Sequence, residues 1–366
     1  MFGKLRVGAD GTGFLQGKLQ TASIGCPAMV HLRVVAPAAQ AEQALELLLD
    51  NPVACHVVRL EGVVKEPEGD MILADVPRED ASVIVGDLKA LGIPEVGSIS
   101  IEPIEVQLSK LADEAEKAAP GDPADAVVWE EVEARTSEQS RLTWSFVTFM
   151  ILAGLLASVG IYLDSPILVV GAMVVGPEFG PIAGFCVAVV ERRPRFAVRS
   201  FVALAVGFPA AITAVVLASL AFRATGVTPD TFTAADHGLS TSIASPDFFA
   251  FFVAFCAGTA GMLSLSTAKS GALIGVLISV TTIPAAANIG VAFTYADWES
   301  WRGSQQQLAI NVAALLVAGT LTLWIQRLSY TDRRHKHLRS GEGVSAKSPG
   351  TTTPRASSAS AEPRHR

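Results

Sequence analysis

The sequence predicts an α-helical polytopic membrane domain with six transmembrane helices, preceded by a small α+β soluble domain. Half of the 366 residues are hydrophobic, and the mean hydropathy of +0.42 is too high for an ordinary soluble domain. The apolar residues are concentrated between Leu142 and Leu328, whereas the net charge of −7 comes mostly from the residues before them. A chain of this length commonly holds two domains, and the change in composition places their boundary.

Residues 30–103 alternate strand and helix patterns in the order βαββαβ, which is the order of the ferredoxin-like fold. The predicted strands are Val30–Val35, Ala54–Val64, Met71–Val76 and Val96–Ile101. Pro37 and Asp80 begin the two amphipathic helices between them. Small-molecule sensors of the ACT type share this fold, so we describe the domain as ACT-like. Because fold does not determine function, ligand sensing and docking or oligomerisation both stay open.

Three further segments flank the two domains. Residues 1–29 lack the pattern of a signal peptide, and we expect a flexible extension there. Residues 104–141 are charged and predict a helical linker, broken at Pro120–Pro123. Residues 329–366 are rich in basic residues, Ser, Thr and Pro, which predicts a disordered tail.

Six hydrophobic segments fill the membrane half, and each is near the ~20 residues that cross a bilayer. They lie at 142–162, 165–190, 197–222, 247–266, 270–293 and 305–328. The loop 191–199 holds four arginines, whereas the loops 223–246 and 294–304 hold one each. The positive-inside rule therefore predicts a multi-pass membrane protein with both termini in the cytoplasm.

The second span is the most irregular of the six. It is apolar, yet it contains Pro166, Pro177, Pro181 and an interior carboxylate, Glu178. Prolines break a helix and a buried charge is costly in lipid, so such a segment belongs inside protein or beside a wet cavity.

The fifth span has a similar interruption between Ser279 and Asn288, and the two halves match sparsely at an offset of 104 residues. These features predict a 3+3 inverted repeat with broken second and fifth helices, as in transporters. Kinked packing helices are the alternative.

The second span also carries a recognisable motif. Gly171-Ala172-Met173 followed by Pro177-Glu178-Phe179-Gly180-Pro181 resembles the signature of a bacterial hydrophobic family called domain of unknown function 389 (DUF389). The segment 270–284 resembles the later glycine and proline segment of that family, and the resemblance covers about residues 140–330. The resemblance implies a multi-pass protein of the bacterial inner membrane and no settled activity. This chain departs from many relatives at Glu178, where they are apolar, and at Ala285, where they have a second proline.

The sequence predicts a midplane site for a substrate or an ion at the two interruptions. The residues assigned to it are Glu178, Gly176, Pro177, Gly180, Pro181, Thr281, Thr282, Pro284 and Asn288. Glu178 is expected to bind a cation, a proton or a polar substrate, and the alternative is a protonated carboxyl bonded to a backbone carbonyl freed by proline. The hydroxyl and amide groups, including that of Asn311, have the alternative of joining helices by hydrogen bonds.

Two charged residues lie at the ends of predicted spans. Asp164 is expected to cap the second span or to form an outer gate. Lys269 has the same gate assignment, with a lysine that extends to the membrane surface as the alternative.

We expect a secondary transporter that moves a small polar solute or ion across the lipid bilayer and assembles as a homo-oligomer. An oligomeric ion channel and a membrane-anchored metabolite sensor are the alternatives. We expect no enzyme, because the sequence shows no nucleophile–base pair. The four cysteines form no C-x-x-C pair, so no metal or other cofactor is predicted. The sequence has no basic patch with interleaved aromatic residues, so we expect no nucleic-acid binding.

Overall fold

The computed structural model describes residues 29–119, 126–228, 231–232, 237–266 and 274–345, and of residues 274–281 and 329–345 it describes the backbone alone. The first part is a sheet domain. Its elements are β1 (Met29–Ala36), α1 (Ala38–Asp50), β2 (Cys55–Lys65), β3 (Glu68–Pro77), α2 (Arg78–Ala90), α3 (Ile93–Val96) and β4 (Ser98–Ile104).

The sheet has the strand order β2-β3-β1-β4, and every neighbouring pair is antiparallel. The strands and helices follow the predicted order, with the short α3 added before β4. Alternate residues of β1 face α1 and α2, because side chains of a strand point to opposite faces in turn. Leu32 on β1, Leu48 on α1 and Ile84 on α2 are fully buried in this core.

Two helices follow in the segment predicted to be a linker, α4 (Lys110–Ala118) and α5 (Trp129–Gln139). Ala112 and Ala115 of α4 pack with Met29 and Cys55 on the other face of the sheet. α5 packs between the sheet domain and the membrane helices, where Trp129 is buried. The helical prediction is correct, but α4 packs on the sheet and α5 contacts both the sheet domain and the membrane helices.

The membrane half is helical. Its elements are α6 (Trp144–Tyr162), α7 (Pro166–Val175), α8 (Phe179–Val190), α9 (Pro194–Ala224), α10 (Gly238–Ile243), α11 (Phe248–Ser266), α12 (Ile274–Thr294) and α13 (Trp298–Ser345). α6, α9, α11 and residues 298–328 of α13 are each long and apolar enough to cross a membrane, and α7 with α8 forms a fifth candidate with a bend of 53°. The predicted span 270–293 lies partly outside the described residues, and its described part belongs to α12. Large apolar side chains on the outer faces of these helices suit a lipid environment, among them Ile167, Phe201, Leu217, Phe249 and Val317.

Two predictions about the helices need correction. The predicted break in the fifth helix is wrong, because α12 runs continuously through Pro284. One proline removes one backbone hydrogen bond and bends a helix, and membrane helices tolerate that loss. The tail predicted from residue 329 is helical as far as Ser345, because α13 continues beyond its apolar part. Residues 346–366 lie outside the described residues.

Helices in the two halves of the bundle have matching bounds. α6 and α11 have 19 residues each and begin at residues 144 and 248. α9 and α13 begin at residues 194 and 298. α8 and α12 end at residues 190 and 294. Each pair of numbers differs by 104. The turns after α8 and α12 also match, because Arg192 and Ala296 both have left-handed backbones, with φ of 57° and 56°. One helix length, two shared helix boundaries and one turn therefore recur along the chain at the same offset.

Candidate functional site at the broken helix

The predicted interruption of the second span is present between α7 and α8. The helix stops at Val175 and resumes at Phe179. Pro177 has no N–H to continue the ladder of helical hydrogen bonds, and Pro181 falls in the first turn of α8, where no N–H is needed. Gly180 and Pro181 are buried, so the break is enclosed by protein.

Glu178 lies at this break and is completely buried. Its Oε1 accepts a hydrogen bond of 2.8 Å from the hydroxyl of Thr282 on α12. Gly176 leaves room for the carboxyl group, since a Cβ there would overlap Glu178 Oε2 and lie 3.0 Å from Ile283 Cγ1. The structure thus brings three of the predicted site residues together and joins the break to the second half of the bundle.

The chemistry of this pair follows from its surroundings. A charged carboxylate loses its water shell in a buried site, so it is stable only when a proton, a cation or well-placed dipoles compensate. The partner at Oε1 is a neutral hydroxyl, which donates to either protonation state. The arrangement is compatible with a protonated carboxyl and with a carboxylate that holds a small cation.

A second polar cluster surrounds Asn288, six residues or about 9 Å of helix beyond Thr282. Asn288 Oδ1 accepts from Ser240 Oγ at 2.8 Å, and its Nδ2 donates to Ser304 Oγ at 2.8 Å. Asn288, Ser240 and Ser304 are buried. On the same helix as Ser304, Gln307 donates to Asn311 at 3.2 Å. These bonds join α10, α12 and α13, so the helix-joining alternative holds for Asn288.

A third polar cluster lies on the other side of Glu178. Ser140, just after α5, shares its hydroxyl proton between the backbone oxygens of Thr136 at 2.5 Å and Gly180 at 3.0 Å. One turn later, a Cβ at Gly184 would overlap Ser140 Oγ and lie 2.9 Å from Ser200 Oγ. Gly184 also lies six residues from Glu178, about 9 Å along α8. The central pair is therefore flanked by one buried polar cluster on each side.

Sequence reasoning missed the serines of both clusters. A usable signal exists, because Ser200 and Ser304 are identical residues separated by 104 positions, the offset found between the helix bounds. Serines are common in membrane helices and are taken as packing residues unless their partners are known.

The remaining predicted residues divide between described and undescribed positions. Asp164 accepts a hydrogen bond of 2.9 Å from the backbone N of Leu239, so it caps α10 rather than its own span. It thereby fixes α10 against the end of α6. Lys269 and the side chain of Thr281 lie outside the described residues.

The sheet domain contains a separate buried carboxylate, Asp75. Burial opposes its charge, but hydrogen bonds from His31 at 2.6 Å, His56 at 2.9 Å and Gln107 at 2.7 Å outweigh that effect and hold the pKa of Asp75 below its usual range. In the part of the chain that the structure describes, no three His, Cys, Asp or Glu residues are placed to hold a metal ion.

Comparison with known proteins found one family match and an uncharacterized relative. An uncharacterized protein of Methanocaldococcus jannaschii is 25% identical over 222 residues, which are 58% of this chain and 62% of the relative. The chain therefore matches less than two thirds of the length of that relative. No solved structure matches the chain. Residues 173–317, which include Glu178, Thr282 and Asn288, match the family described as Domain of unknown function (DUF389). The chain thus carries a DUF389 domain, as the Gly-Ala-Met and Pro-x-x-Gly-Pro motifs predict.

Proposed function

We propose that this protein is a secondary transporter that moves a small polar solute or ion through a midplane site at Glu178 and Thr282. One observation carries the proposal, namely a fully buried carboxylate at a helix break, hydrogen-bonded across the bundle. Ionisable residues inside a membrane mark pathways for ions, protons or substrates. The expected setting is a bacterial inner membrane, with both termini in the cytoplasm and several copies in one assembly.

An inverted repeat of three plus three spans would explain where this pair lies. Glu178 and Thr282 are 104 residues apart, the same offset that relates the helix bounds. When two halves are related by a two-fold axis, equivalent residues touch each other only close to that axis. The Glu178–Thr282 bond therefore supports a site at the interface of the repeats, where transporters bind their substrates.

Packing contacts repeat at the same offset. A Cβ at Gly154 of α6 would lie 3.5 Å from the backbone oxygen of Ala211 on α9. A Cβ at Gly258 of α11 would lie 3.0 Å from the backbone oxygen of Leu315 on α13. Gly154 and Gly258 are 104 residues apart, and so are Ala211 and Leu315. An odd number of spans in each half would give the halves opposite orientations in the membrane.

In this arrangement the central pair is closed on both sides. Glu178, Thr282, Ser140 and Asn288 are all buried. We assign this closed form to an occluded state, in which Glu178 holds its proton or cation. Rocking of one half against the other would open one flanking cluster at a time, which is alternating access.

The test is thermal unfolding of the purified full-length protein with chlorides of sodium, potassium, magnesium and calcium, and across a range of pH. The variants are Glu178→Gln and, as a matched control, Glu138→Gln at an exposed carboxylate of α5. We expect a cation or acid to stabilise the wild type and the control, because binding to the folded state raises Tm, and to have no such effect in Glu178→Gln. Equal responses in all three proteins would contradict the proposal.

Counterflow distinguishes a carrier from an oligomeric channel. In proteoliposomes loaded with the unlabelled ion, a carrier exchanges it for labelled ion and saturates, whereas a channel shows neither behaviour. We expect saturation and counterflow for the ion that stabilises the wild type.

A further inference from the structure

The matching of the two halves extends beyond the spans to two short helices. α5 ends at Gln139 and α10 ends at Ile243, again 104 residues apart. Thr136 of α5 and Ser240 of α10 occupy equivalent positions, and both are buried. α5 precedes α6, while Asp164 just after α6 binds α10, so the two helices lie at opposite ends of α6. The 19 residues of α6 make that separation about 28 Å.

Each short helix covers one of the polar clusters that flank Glu178. Ser140 at the end of α5 bonds to Gly180, and a Cβ at Gly180 would lie 2.6 Å from Gln139 Cβ. The last turn of α5 is therefore in direct contact with the backbone of α8. On the other side, Ser240 of α10 donates to the side-chain oxygen of Asn288 on α12.

α5 is also attached to the sheet domain by buried charged and polar contacts. Arg78 of α2, which is 4% exposed, pairs with Glu131 of α5 at 2.6 Å. Ser82 Oγ accepts from the backbone N of Trp129 at 2.9 Å and donates to Glu130 at 2.7 Å. A displacement of α2 must therefore either move α5 or break these bonds.

The opposite side of α5 contacts the membrane helices. Trp129 packs with Ala183, Cys186 and Met262, and the guanidinium of Arg327 lies 4.8 Å from the centre of its ring. Arg199 of α9 donates to Ser137 of α5 at 2.8 Å. α5 is thus held between the sheet domain and the bundle, at the end of the route to Glu178.

We propose that α5 is the inner gate of the transport path and that the sheet domain controls it, while α10 is the equivalent outer gate. This inference rests on the proposed function. With the sheet domain docked through Arg78 and Glu131, α5 closes the cluster at Ser140. A shift of the sheet domain carries α5 away from Gly180 and opens the site from its own side. The domain thereby regulates access to Glu178 without contributing to the site.

The test measures how fast a thiol at each gate reacts with a membrane-impermeant maleimide. The full chain carries Ser140→Cys at the inner gate, or Ser240→Cys at the outer gate, with its native cysteines replaced by alanine. Arg78→Ala breaks the docking pair, and Arg33→Ala is the matched control on an exposed part of the sheet. Protein in detergent presents both gates to the reagent.

Loss of one partner of a buried ion pair shifts the equilibrium between the docked and the displaced position by more than about tenfold. We therefore expect Arg78→Ala to accelerate labelling at Ser140→Cys by about tenfold or more. Labelling at Ser240→Cys should be unchanged, and Arg33→Ala should leave both rates unchanged. An unchanged rate at Ser140→Cys, or an equal rise at both gates, would overturn the proposal.

Glu131→Gln is the second variant should Arg78→Ala fail to fold, because it weakens the same pair with little change of shape. The labelling is done without any substrate. A failure of Glu178→Gln to alter ion binding would therefore contradict the transport proposal alone, and the gate measurement would still give its own result.

Discussion

Thr282→Val removes the hydroxyl that donates to Glu178 and leaves a side chain of almost the same shape. The wild-type bond is 2.8 Å long and both partners are fully buried, so water cannot replace it. A hydrogen bond to a charged group contributes about 1.5–3 kcal/mol, and one to a neutral group about 1 kcal/mol. A domain of about 150–250 residues loses about 2–4 °C of Tm per kcal/mol of lost stability. We therefore expect Tm to fall by roughly 3–12 °C when Glu178 is ionised.

The assay is thermal unfolding in detergent, with two controls. Thr282→Ser keeps the donor and loses a methyl group worth about 0.8 kcal/mol, so its loss should be the smaller one. Thr259→Val removes a hydroxyl that bonds the backbone of its own helix, at Phe255, and should change Tm little. A loss for Thr282→Val no larger than the loss for Thr259→Val would refute the reasoning, because the hydroxyl of Thr282 would then contribute no more than one that bonds its own helix.

Three further variants test separate parts of the structure. Gly184→Ala should destabilise the folded protein by about 1–3 kcal/mol in thermal unfolding, since the added Cβ overlaps Ser140 Oγ, whereas Gly171→Ala has open space and should not. Asp75→Asn should lower stability at neutral pH, and the difference from wild type should vanish in acid. The sign follows because a lowered pKa in the folded state adds stability above the ordinary aspartate pKa of about 3.9, and that stability is lost as the pH falls through the folded-state pKa. Asp164→Ala removes the cap of α10, worth about 1 kcal/mol, and should speed maleimide labelling at Ser240→Cys and leave Ser140→Cys unchanged.

The helix break at Glu178 could be predicted, because it depends on neighbouring residues alone. Two prolines and two glycines within six residues can form no continuous helix, so the break at Glu178 follows from the sequence. The single Pro284 of α12 carries a weaker signal, and a break was wrongly expected there. A helix can lose one hydrogen bond and stay continuous when its neighbours pack around it.

Long-range partners could not be predicted from local patterns. Nothing in the neighbouring residues distinguishes Thr282 from Thr281, and only the packing of α12 against the break selects it. The charged residues of 104–141 predicted a helical linker, yet carboxylates of α5 pair with Arg78 of the sheet domain and with Arg193 of the bundle. Such pairings depend on the assembled fold, since the partners are more than 50 residues apart.

The most direct test of the central claim is ion flux into proteoliposomes that contain wild type, Glu178→Gln or the control Glu138→Gln. The ion is the one that stabilises the wild type in thermal unfolding, or the proton, followed with a trapped pH-sensitive dye. If Glu178 carries the transported or coupled ion, the wild type and Glu138→Gln should show saturable flux, and Glu178→Gln should lose it while staying folded. Saturable flux of undiminished rate in folded Glu178→Gln would contradict the account.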